Sequence, residues 1–272
     1  MSDADDLGGE GGTSMRARRR RIQEMVRDQA FVSVGEVSDL FAVSEVTVRS
    51  DFQVLERQGK LRRVRGGVVA GELANPRREP SFVESLGTLA DEKAAIGVSA
   101  AALVVPGETL VLDVGTTTTA VAQALASRVD LEDVVVFTNG ITIALELEAA
   151  IPRIEVVVTG GTLRPLQHSL VDPMGGAVLE QVHVDTVFLG CNGVHPTSGI
   201  TNINLPEAAM KRRMVQAARR RVVVADGSKL GVVSLAPLCG IDDVDLLITG
   251  SSADPDVIAA LGDHGLQVEV VR

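Results

Sequence analysis

The hydrophobic positions between residues 34 and 55 form two short blocks of helical spacing, separated by a tight turn. In the second block Val48, Phe52 and Leu55 lie three or four residues apart, which predicts a helix with one buried face. The polar residues that point away from this face are Thr47, Arg49, Ser50 and Gln53. Two helices joined in this way are typical of a helix-turn-helix, whose second helix lies in the major groove of DNA. We therefore predict a DNA-binding segment whose second helix opens at Ser44.

A basic hairpin is predicted directly after these helices. Residues 59–67 read Gly-Lys-Leu-Arg-Arg-Val-Arg-Gly-Gly, so glycines flank a run of basic and apolar positions. The combination is a winged helix-turn-helix. The residues that we expect to face DNA are Ser44, Thr47, Arg49, Ser50, Gln53, Arg62, Arg63 and Arg65. Among them, Thr47 and Arg49 are predicted to reach base edges, and the hairpin arginines to hold phosphates.

A further helix is predicted over residues 16–29, with Ile22, Met25 and Val26 on one face. A run of arginines at 18–21 lies near its start. From the sequence alone, this run fits a solvated helix face and a set of phosphate contacts equally well.

From Asp91 onward the pattern changes to short apolar runs that alternate with amphipathic stretches. The predicted strands cover residues 109–113, 134–138, 154–159, 186–190, 222–226, 246–249 and 267–271. The predicted helices cover residues 91–104, 117–126, 141–150, 205–219 and 255–263. Alternation of this kind predicts an α/β fold, with a largely parallel sheet and helices on both faces, behind the winged helix-turn-helix.

These patterns divide the chain into four parts. Residues 1–13 are acidic and glycine-rich without an apolar run, which predicts a disordered tail and not a signal peptide. Residues 14–70 are the predicted DNA-binding domain, residues 71–90 a linker, and residues 91–272 the α/β domain. The apolar runs of the sequence are too short to span a bilayer, so no membrane partner is expected.

Charge is distributed unevenly between the two predicted domains. The chain has 272 residues and a formal net charge of −10 at pH 7. Residues 14–70 hold 12 Lys and Arg against 7 Asp and Glu, whereas residues 71–272 hold 14 against 25. A DNA backbone meets the local potential and not the total charge, so the basic segment is compatible with DNA binding.

The cysteines and histidines show no spacing typical of a metal or redox site. Cys191 and Cys239 lie far apart in the sequence, and the four histidines are scattered. Buried free thiols in a reducing cytoplasm explain this pattern, and we expect neither a metal nor a bound cofactor.

Polar segments that contain glycine follow five of the predicted strands, at residues 113–119, 138–140, 159–162, 190–193 and 226–229. Ligands of open α/β sheets bind beyond the carboxyl ends of the strands. Glycine lets the backbone approach a ligand, and a helix N-terminus attracts anions, although the threonines at 116–119 also fit simple helix capping. The set predicts a phosphate-bearing small molecule. The sequence holds no P-loop and no complete dinucleotide fingerprint, which argues against a nucleoside triphosphate or NAD.

Several motifs together resemble the DeoR family of bacterial transcriptional regulators, from about residue 18 to the C-terminus. Residues 43–52 read Val-Ser-Glu-Val-Thr-Val-Arg-Ser-Asp-Phe, and Arg-Gly-Gly follows at 65–67. The later motifs, in the family's order, are Glu92-Lys93, Asp113-x-Gly115-Thr116-Thr117, Thr138-Asn139, Gly160-Gly161, Gly199-Ile200-Thr201, Glu207 with Lys211, and Asp226-x-Ser228-Lys229.

The resemblance implies a sensor domain similar to ribose-5-phosphate isomerase, which binds a phosphorylated sugar or a related catabolite. Gly115, Thr116, Thr117 and Lys229 would hold the phosphate, and Asp113, Asn139 and Glu207 the sugar hydroxyls. The full set of expected effector-binding residues is Lys93, Asp113, Gly115, Thr116, Thr117, Asn139, Gly160, Gly161, Glu207, Lys211 and Lys229. The resemblance also implies repression of carbohydrate genes at a double-stranded DNA operator, and relief of that repression by the effector. A helix-turn-helix usually reads two half-sites, so a homo-oligomer is expected.

The chain departs from the family pattern at three positions that bear on specificity. Ser50 stands where a second arginine is usual, Asp172 where glycine is common, and Ser85 where arginine is usual. The first bears on the operator, and the other two on the choice of effector.

Two other functions stay open from the sequence. A sugar-phosphate isomerase with a DNA-binding head would need an acid–base pair. The resemblance places Leu189 and Asn192 at those positions, and neither can act as a general base. Glu207 and Lys229 remain as candidates, but ligand binding explains them as well. An architectural DNA-binding protein without a small ligand would have no use for the polar strand ends. We expect a regulator that is not an enzyme.

Overall fold

The computed structural model describes residues 15–29, 31–57, 60–70, 79–171 and 173–272. The chain divides after Arg78 into two compact units. The predicted tail at 1–13, residues 71–78 of the predicted linker, and Asp172 lie outside the described residues. Within the described residues, no helix is both long and apolar enough to cross a bilayer.

The first unit is a winged helix-turn-helix, as predicted. Its elements are α1 (Met15–Asp28), β1 (Val32–Ser33), α2 (Val34–Phe41), α3 (Glu45–Arg57), β2 (Leu61–Val64) and β3 (Gly67–Ala70). The strands form an antiparallel sheet in the order β1-β3-β2. Its core joins Ile22 of α1, Phe52 and Leu55 of α3, and Val68 of the wing, all fully buried. A capping box between Ser33 and Glu36 fixes the start of α2.

The second unit is built on a parallel sheet. Its first elements are α4 (Phe82–Leu86), α5 (Ala90–Ala102), β4 (Thr109–Leu112), α6 (Thr116–Ser127), β5 (Val134–Thr138), α7 (Ile141–Leu147), β6 (Ile154–Val158), β7 (Thr162–Arg164), β8 (Ser169–Val171) and α8 (Pro173–Leu179). They are followed by β9 (Val184–Leu189), β10 (Gly193–His195), β11 (Gly199–Asn202), α9 (Leu205–Ala217), β12 (Ala218–Val224), β13 (Ala236–Cys239), β14 (Leu246–Gly250), α10 (Pro255–Asp263) and β15 (Val268–Val271). The parallel sheet has the strand order β15-β14-β12-β9-β4-β5-β6.

Side chains alternate between the two faces of this sheet, as the period of a strand requires. Leu110 and Leu112 pack on the face covered by α5, α6 and α7, whereas Val111 packs on the face covered by α8, α9 and α10. Val222 and Val223 divide between the faces in the same way. Helices therefore cover both faces, and the predicted α/β fold class is confirmed.

The strand order reverses between β4 and β9. The chain runs outward from β4 through β5 to β6, and then returns to place β9 on the other side of β4. Such a switch point leaves a crevice at the carboxyl ends of the two central strands, because their connections leave in opposite directions.

The structure corrects part of the predicted linker. Residues 79–90 belong to the second unit, and they contain the capped helix α4 and the first residue of α5. Ser81 and Glu84 form a capping box at the start of α4, so this segment carries its own helix signal in the sequence.

Some elements differ from the prediction because local periodicity could not reveal them. The hairpin of β7 and β8 and the antiparallel sheet β10-β11-β13 consist of strands of three or four residues. The helix predicted over 205–219 ends at Ala217, because residues 218–224 pair with β9 and β14.

Candidate functional site

The exposed face of α3 carries most of the residues expected to contact DNA. Ser44 precedes the helix, and its Oγ accepts a hydrogen bond from the amide of Thr47 at 3.2 Å. Arg49, Ser50 and Gln53 are exposed, whereas Thr47 is half-buried and its hydroxyl lies 2.9 Å from Ser44 Oγ. Thr47 therefore helps to cap the helix and lies at the edge of the exposed face.

Two of the predicted DNA-contacting arginines form ion pairs within the first unit. Arg49 donates to Glu45 one turn away at 3.1 Å, and both side chains are exposed. Arg63 of the wing donates to Glu56 through its backbone amide (2.9 Å) and its Nε (2.7 Å). The backbone hydrogen bond from Arg63 contributes most to lowering the pKa of Glu56. Exposed ion pairs are weak, so a phosphate or a base edge can displace the Arg49 pair.

The remaining wing arginines are more accessible. Arg62 and Arg65 are exposed, and neither forms an ion pair with a residue in the described part of the chain. They are therefore the better placed of the three wing arginines for phosphate contact.

Part of the arginine run at 18–21 has a structural role. Asp51 is 2% exposed, and it accepts hydrogen bonds from Arg18 Nε at 2.7 Å and Arg19 Nε at 2.6 Å. This carboxylate fastens α1 to α3. Arg20 and Arg21 are exposed. Of the four arginines, these two are therefore the ones for which a solvated face or a phosphate contact remains a suitable interpretation.

A cleft of about 630 Å³, including solvent at its mouth, lies at the switch point of the parallel sheet. Among its lining residues are the predicted effector residues Gly115, Thr116, Thr117, Glu207, Lys211 and Lys229.

One wall of the cleft is the N-terminus of α6. Gly115 has φ +148°, which favours glycine, and α6 begins at Thr116. The hydroxyls of Thr118 and Thr119 donate to Gly115 O at 2.9 and 2.7 Å, and no side chain of the described residues caps the N-terminus of α6, so the capping alternative does not explain this threonine run. The amides of the first helical turn have no intrahelical acceptor, and the helix dipole makes this wall attractive to an anion.

The floor of the cleft is Lys211, which forms a buried ion pair with Asp113; Asp113, a predicted effector residue, is itself fully buried and does not line the cleft. Lys211 Nζ donates to Asp113 Oδ2 and to Gly190 O, the latter at 3.0 Å, and Gly190 N donates to Asp113 Oδ2 at 2.9 Å. Burial raises the pKa of Asp113 to about 6, although Lys211 acts in the opposite direction. Asp113 Oδ1 is buried and accepts no hydrogen bond from the described residues. These contacts link the ends of β4 and β9 directly beneath the cleft.

A cluster of charged side chains forms another wall of the cleft, which Glu79 and Glu207 line. Glu207 Oε1 accepts hydrogen bonds from Ser169 Oγ at 2.6 Å and from Arg164 at 2.8 Å. Arg164 also donates to both oxygens of Glu79, and all three charged side chains are largely buried. Because Arg164 joins the two carboxylates, this wall offers oxygen acceptors without the full charge of two carboxylates.

Residues 79–86, here named the strap, are attached to the β7–β8 hairpin. Besides the Arg164 contact, Gln167 donates to Pro80 O at 2.6 Å, and the amide of Phe82 donates to Leu166 O at 2.8 Å. The Phe82 and His168 rings lie 4.9 Å apart. Glu79, Pro80 and Ser85 of the strap line the cleft. The strap was missed as part of the site because its composition resembles a linker.

The other predicted effector residues do not line the cleft. Lys93 is buried behind it, where Nζ donates to Ser85 O at 2.6 Å and lies 3.9 Å from Asp226. Burial lowers the pKa of Lys93. Asn139 is fully buried and ties the chain together, since it accepts from Val114 N and donates to Leu170 O.

Gly160 and Gly161 occupy the turn between β6 and β7, with φ of +77° and +117°. A Cβ on Gly161 would lie 2.4 Å from Val171 O, so a close backbone approach explains that glycine.

The positions expected of an isomerase carry no acid–base pair. Leu189 is a buried residue of β9, and Asn192 lines the cleft while its Oδ1 accepts from Ile203 N at 3.0 Å. Asn202, a lining residue that the strand-end pattern could not reveal, is the last residue of the short strand β11.

Comparison with known proteins covers both units. A family model described as the DeoR C terminal sensor domain matches residues 88–251, and a model described as the DeoR-like helix-turn-helix domain matches residues 18–72. The chain is similar to the HTH-type transcriptional regulator GlpR of Haloferax volcanii, at 35% identity over 92% of this chain and 96% of that protein. It is also similar to the transcriptional repressor AccR of Agrobacterium fabrum, at 31% identity over 88% of this chain and 90% of that protein.

Among solved structures, ribose 5-phosphate isomerase A from Methanocaldococcus jannaschii superposes with a TM-score of 0.40. The two chains are 19% identical, and the match covers 52% of this chain and 55% of that one.

Proposed function

The chain belongs to the DeoR family of DNA-binding transcriptional regulators, and from that premise we propose that a phosphorylated sugar or a related metabolite binds in the cleft and controls operator binding. The family relation carries the regulatory role. The charge distribution of the cleft supports the chemistry of the effector. We further propose that the protein acts in the cytoplasm as a homo-oligomeric repressor of carbohydrate genes.

The single observation that carries the effector proposal is the polarity of the cleft. Its lining includes the N-terminus of α6 and Lys229, which attract an anion. It also includes the carboxylates of Glu79 and Glu207, which accept hydrogen bonds from hydroxyl groups. A molecule that carries both a phosphate and hydroxyl groups matches these two kinds of lining group.

A thermal-shift screen with sugar monophosphates tests this proposal, read with an extrinsic dye because the chain has no Trp or Tyr. We expect Thr116→Val and Lys229→Ala to melt like the parent protein and to lose the stabilisation by ligand. Thr197→Val, at an exposed position that does not line the cleft, serves as the control and should keep it. Full stabilisation of both cleft variants would move the effector site elsewhere.

For the DNA-binding face, we propose that Arg49 reads a base edge while Arg62 and Arg65 hold phosphates. Arg49→Ala should then lose discrimination worth about 1–3 kcal/mol, with non-specific binding retained. Arg62→Ala should weaken binding to all sequences. It should also reduce the slope of the logarithm of the binding constant against the logarithm of salt concentration by about one. Equal loss of specific and non-specific binding in Arg49→Ala would assign that residue to a phosphate.

We propose that the strap couples the effector to the operator. The strap follows directly on Arg78, where the first unit ends, and its own residues line the cleft. Lys93 supports the strap from behind through Ser85 O. An effector in the cleft contacts the strap directly, and a coupling of about 1–3 kcal/mol is typical.

This coupling must be reciprocal, so effector affinity is to be measured with and without operator DNA. We expect the operator to weaken effector binding by the same factor by which the effector weakens operator binding. Identical effector affinities in the two titrations would mean that the sensor does not control DNA binding.

We also propose that the cleft turns over no sugar phosphate. Glu207, the remaining candidate base, accepts hydrogen bonds from both Arg164 and Ser169 through Oε1, which supports a binding role. Assay of ribose 5-phosphate and related sugar phosphates tests this point. Turnover that disappears in Glu207→Gln would establish an isomerase instead.

A further inference from the structure

An apolar side chain projects near the N-terminus of α3, on the face proposed to contact DNA. Val46, the second residue of this helix, is 77% exposed. It lies three, four and seven residues before Arg49, Ser50 and Gln53, all of which are exposed. Residues at these spacings share one face of a helix. Val46 therefore belongs to the same face as the polar DNA-contacting residues.

The core does not explain this position. The buried residues of α3 are Val48, Asp51, Phe52 and Leu55, which lie on the opposite side of the helix from Val46. A β-branched side chain also lowers helix propensity slightly. Neither the packing of the helix nor its propensity accounts for valine here.

The chemistry of the face limits what Val46 can recognise. Arg49, Ser50 and Gln53 all offer hydrogen-bonding groups, whereas a valine side chain offers only methyl groups. In the major groove, the donors and acceptors of the base edges are matched by polar side chains, and the apolar feature is the 5-methyl group of thymine. Residues near the N-terminus of a recognition helix are the ones that contact base edges.

We propose that Val46 reads the methyl group of a thymine in the operator and so helps to determine sequence specificity. This inference rests on the proposed assignment of the α3 face to the major groove. Ser50, which is short, and Arg49, which is paired with Glu45, leave Val46 projecting between them. Three residues of helix span about 4.5 Å, so the thymine lies about one base-pair step from the base that Arg49 contacts.

The test begins with short duplexes selected from a random library by the full-length chain. Each thymine of the selected duplex is then replaced in turn by deoxyuridine, which removes only the methyl group, and Kd is measured at fixed salt. Arg49→Ala identifies the base that Arg49 contacts, because this variant no longer discriminates at that position. At one thymine next to that base, the replacement should weaken binding by about fourfold. Val46→Ala, which keeps a single methyl group, should show a smaller loss of affinity than the parent chain on the same replacement.

Leu40→Ala is the matched control, because Leu40 is an exposed apolar residue of α2 in the same unit, at 57% exposure. It should preserve the parent pattern of deoxyuridine effects. Val46→Ala should unfold at the same temperature as the parent chain, since an exposed side chain is shortened. Identical deoxyuridine profiles for the parent chain and Val46→Ala would overturn the inference while leaving DNA binding intact. Failure to select any duplex would instead overturn the DNA-binding role itself.

Discussion

Asp113 and Lys211 form an ion pair beneath the cleft in which both side chains are almost completely buried, at 0% and 3% exposure. They come from different halves of the parallel sheet, since Asp113 follows β4 and Lys211 lies on α9. The same carboxylate accepts the amide of Gly190 after β9. This pair therefore joins the two strands at the switch point and sets the charge of the cleft floor.

We predict that the Asp113 carboxyl lowers the free energy of unfolding as pH rises from about 4 to about 6. Burial raises its pKa from 3.8 to about 6, so in this window the folded chain binds more protons than the unfolded chain. The free energy of unfolding of the parent, relative to Asp113→Asn, should fall by on the order of 3 kcal/mol as pH rises through the window, and stay constant above it. Denaturant unfolding at several pH values measures this difference.

Asp185→Asn provides a comparison of opposite sign. Hydrogen bonds from the amide and hydroxyl of Thr109 lower the pKa of Asp185. The stability that the Asp185 carboxylate contributes is fully present above the ordinary pKa of an aspartate, and it is lost as pH falls through the lowered pKa. A parent-to-Asp113→Asn difference that rises with pH would contradict the prediction.

We predict that Asp51→Ala destabilises the first unit by about 3–5 kcal/mol, because it leaves Arg18 and Arg19 without their shared partner. Chemical denaturation followed by circular dichroism measures the loss. Glu24→Ala removes a partner of the exposed Arg21 and should change stability by less than about 0.5 kcal/mol. Equal effects of the two variants would show that the Asp51 cluster does not fasten α1 to α3.

Gly250→Ala should destabilise the second unit by about 1–3 kcal/mol. A Cβ there would lie 1.9 Å from Glu92 Cγ, and the Glu92 carboxylate cannot move freely. It accepts hydrogen bonds from Gly227 N at 2.7 Å and from the amide and hydroxyl of Ser252 at 3.1 and 3.0 Å. Gly262→Ala in α10 meets no atom within 4 Å, so it should be neutral or stabilising. Thermal unfolding compares the two variants.

Arg164→Met should release the strap from the β7–β8 hairpin. It removes the partner of two buried carboxylates, and we expect amide exchange at Phe82 to accelerate by about one to two orders of magnitude. Hydrogen exchange of peptides covering residues 79–86 measures the change. Arg213→Met, which breaks an exposed pair with Glu180, is the control. Unchanged exchange in Arg164→Met would mean that Gln167 and Phe82 hold the strap without the ion pairs.

The strand ends of the site were accessible from the sequence. In a parallel sheet all the carboxyl ends lie at one edge, so residues such as Gly115 and Lys229 could be grouped without knowing any contact. The spacing of Val46 with Arg49 and Ser50 also indicates that the three residues share one face of α3. Hydrophobic periodicity alone gives an apolar residue on such a polar face no role, because it indicates only which positions are buried.

The strap and its ion pairs could not be derived in this way. Arg164 and Glu79 are separated by 85 positions, and neither stands in a periodic pattern. Arg164 is the last residue of a strand of three residues. Such a strand is too short for an alternation of apolar and polar residues to be recognised in the sequence. Likewise, Asn139 has the composition of a ligand-binding residue, and only its contacts with Val114 and Leu170 reveal the alternative structural role.

The position of the cleft at the switch point has a consequence for how such regulators diverge. Thr116, Asn192 and Lys229 lie in segments that follow the strands and stand outside the hydrophobic clusters on the two faces of the sheet. Under the proposed function, substitutions there change the effector that a descendant recognises at little cost to folding. The Asp113–Lys211 pair lacks this freedom, because the same atoms that shape the floor also join the halves of the sheet. Selection for a new metabolite should therefore alter the walls of the cleft and retain its floor.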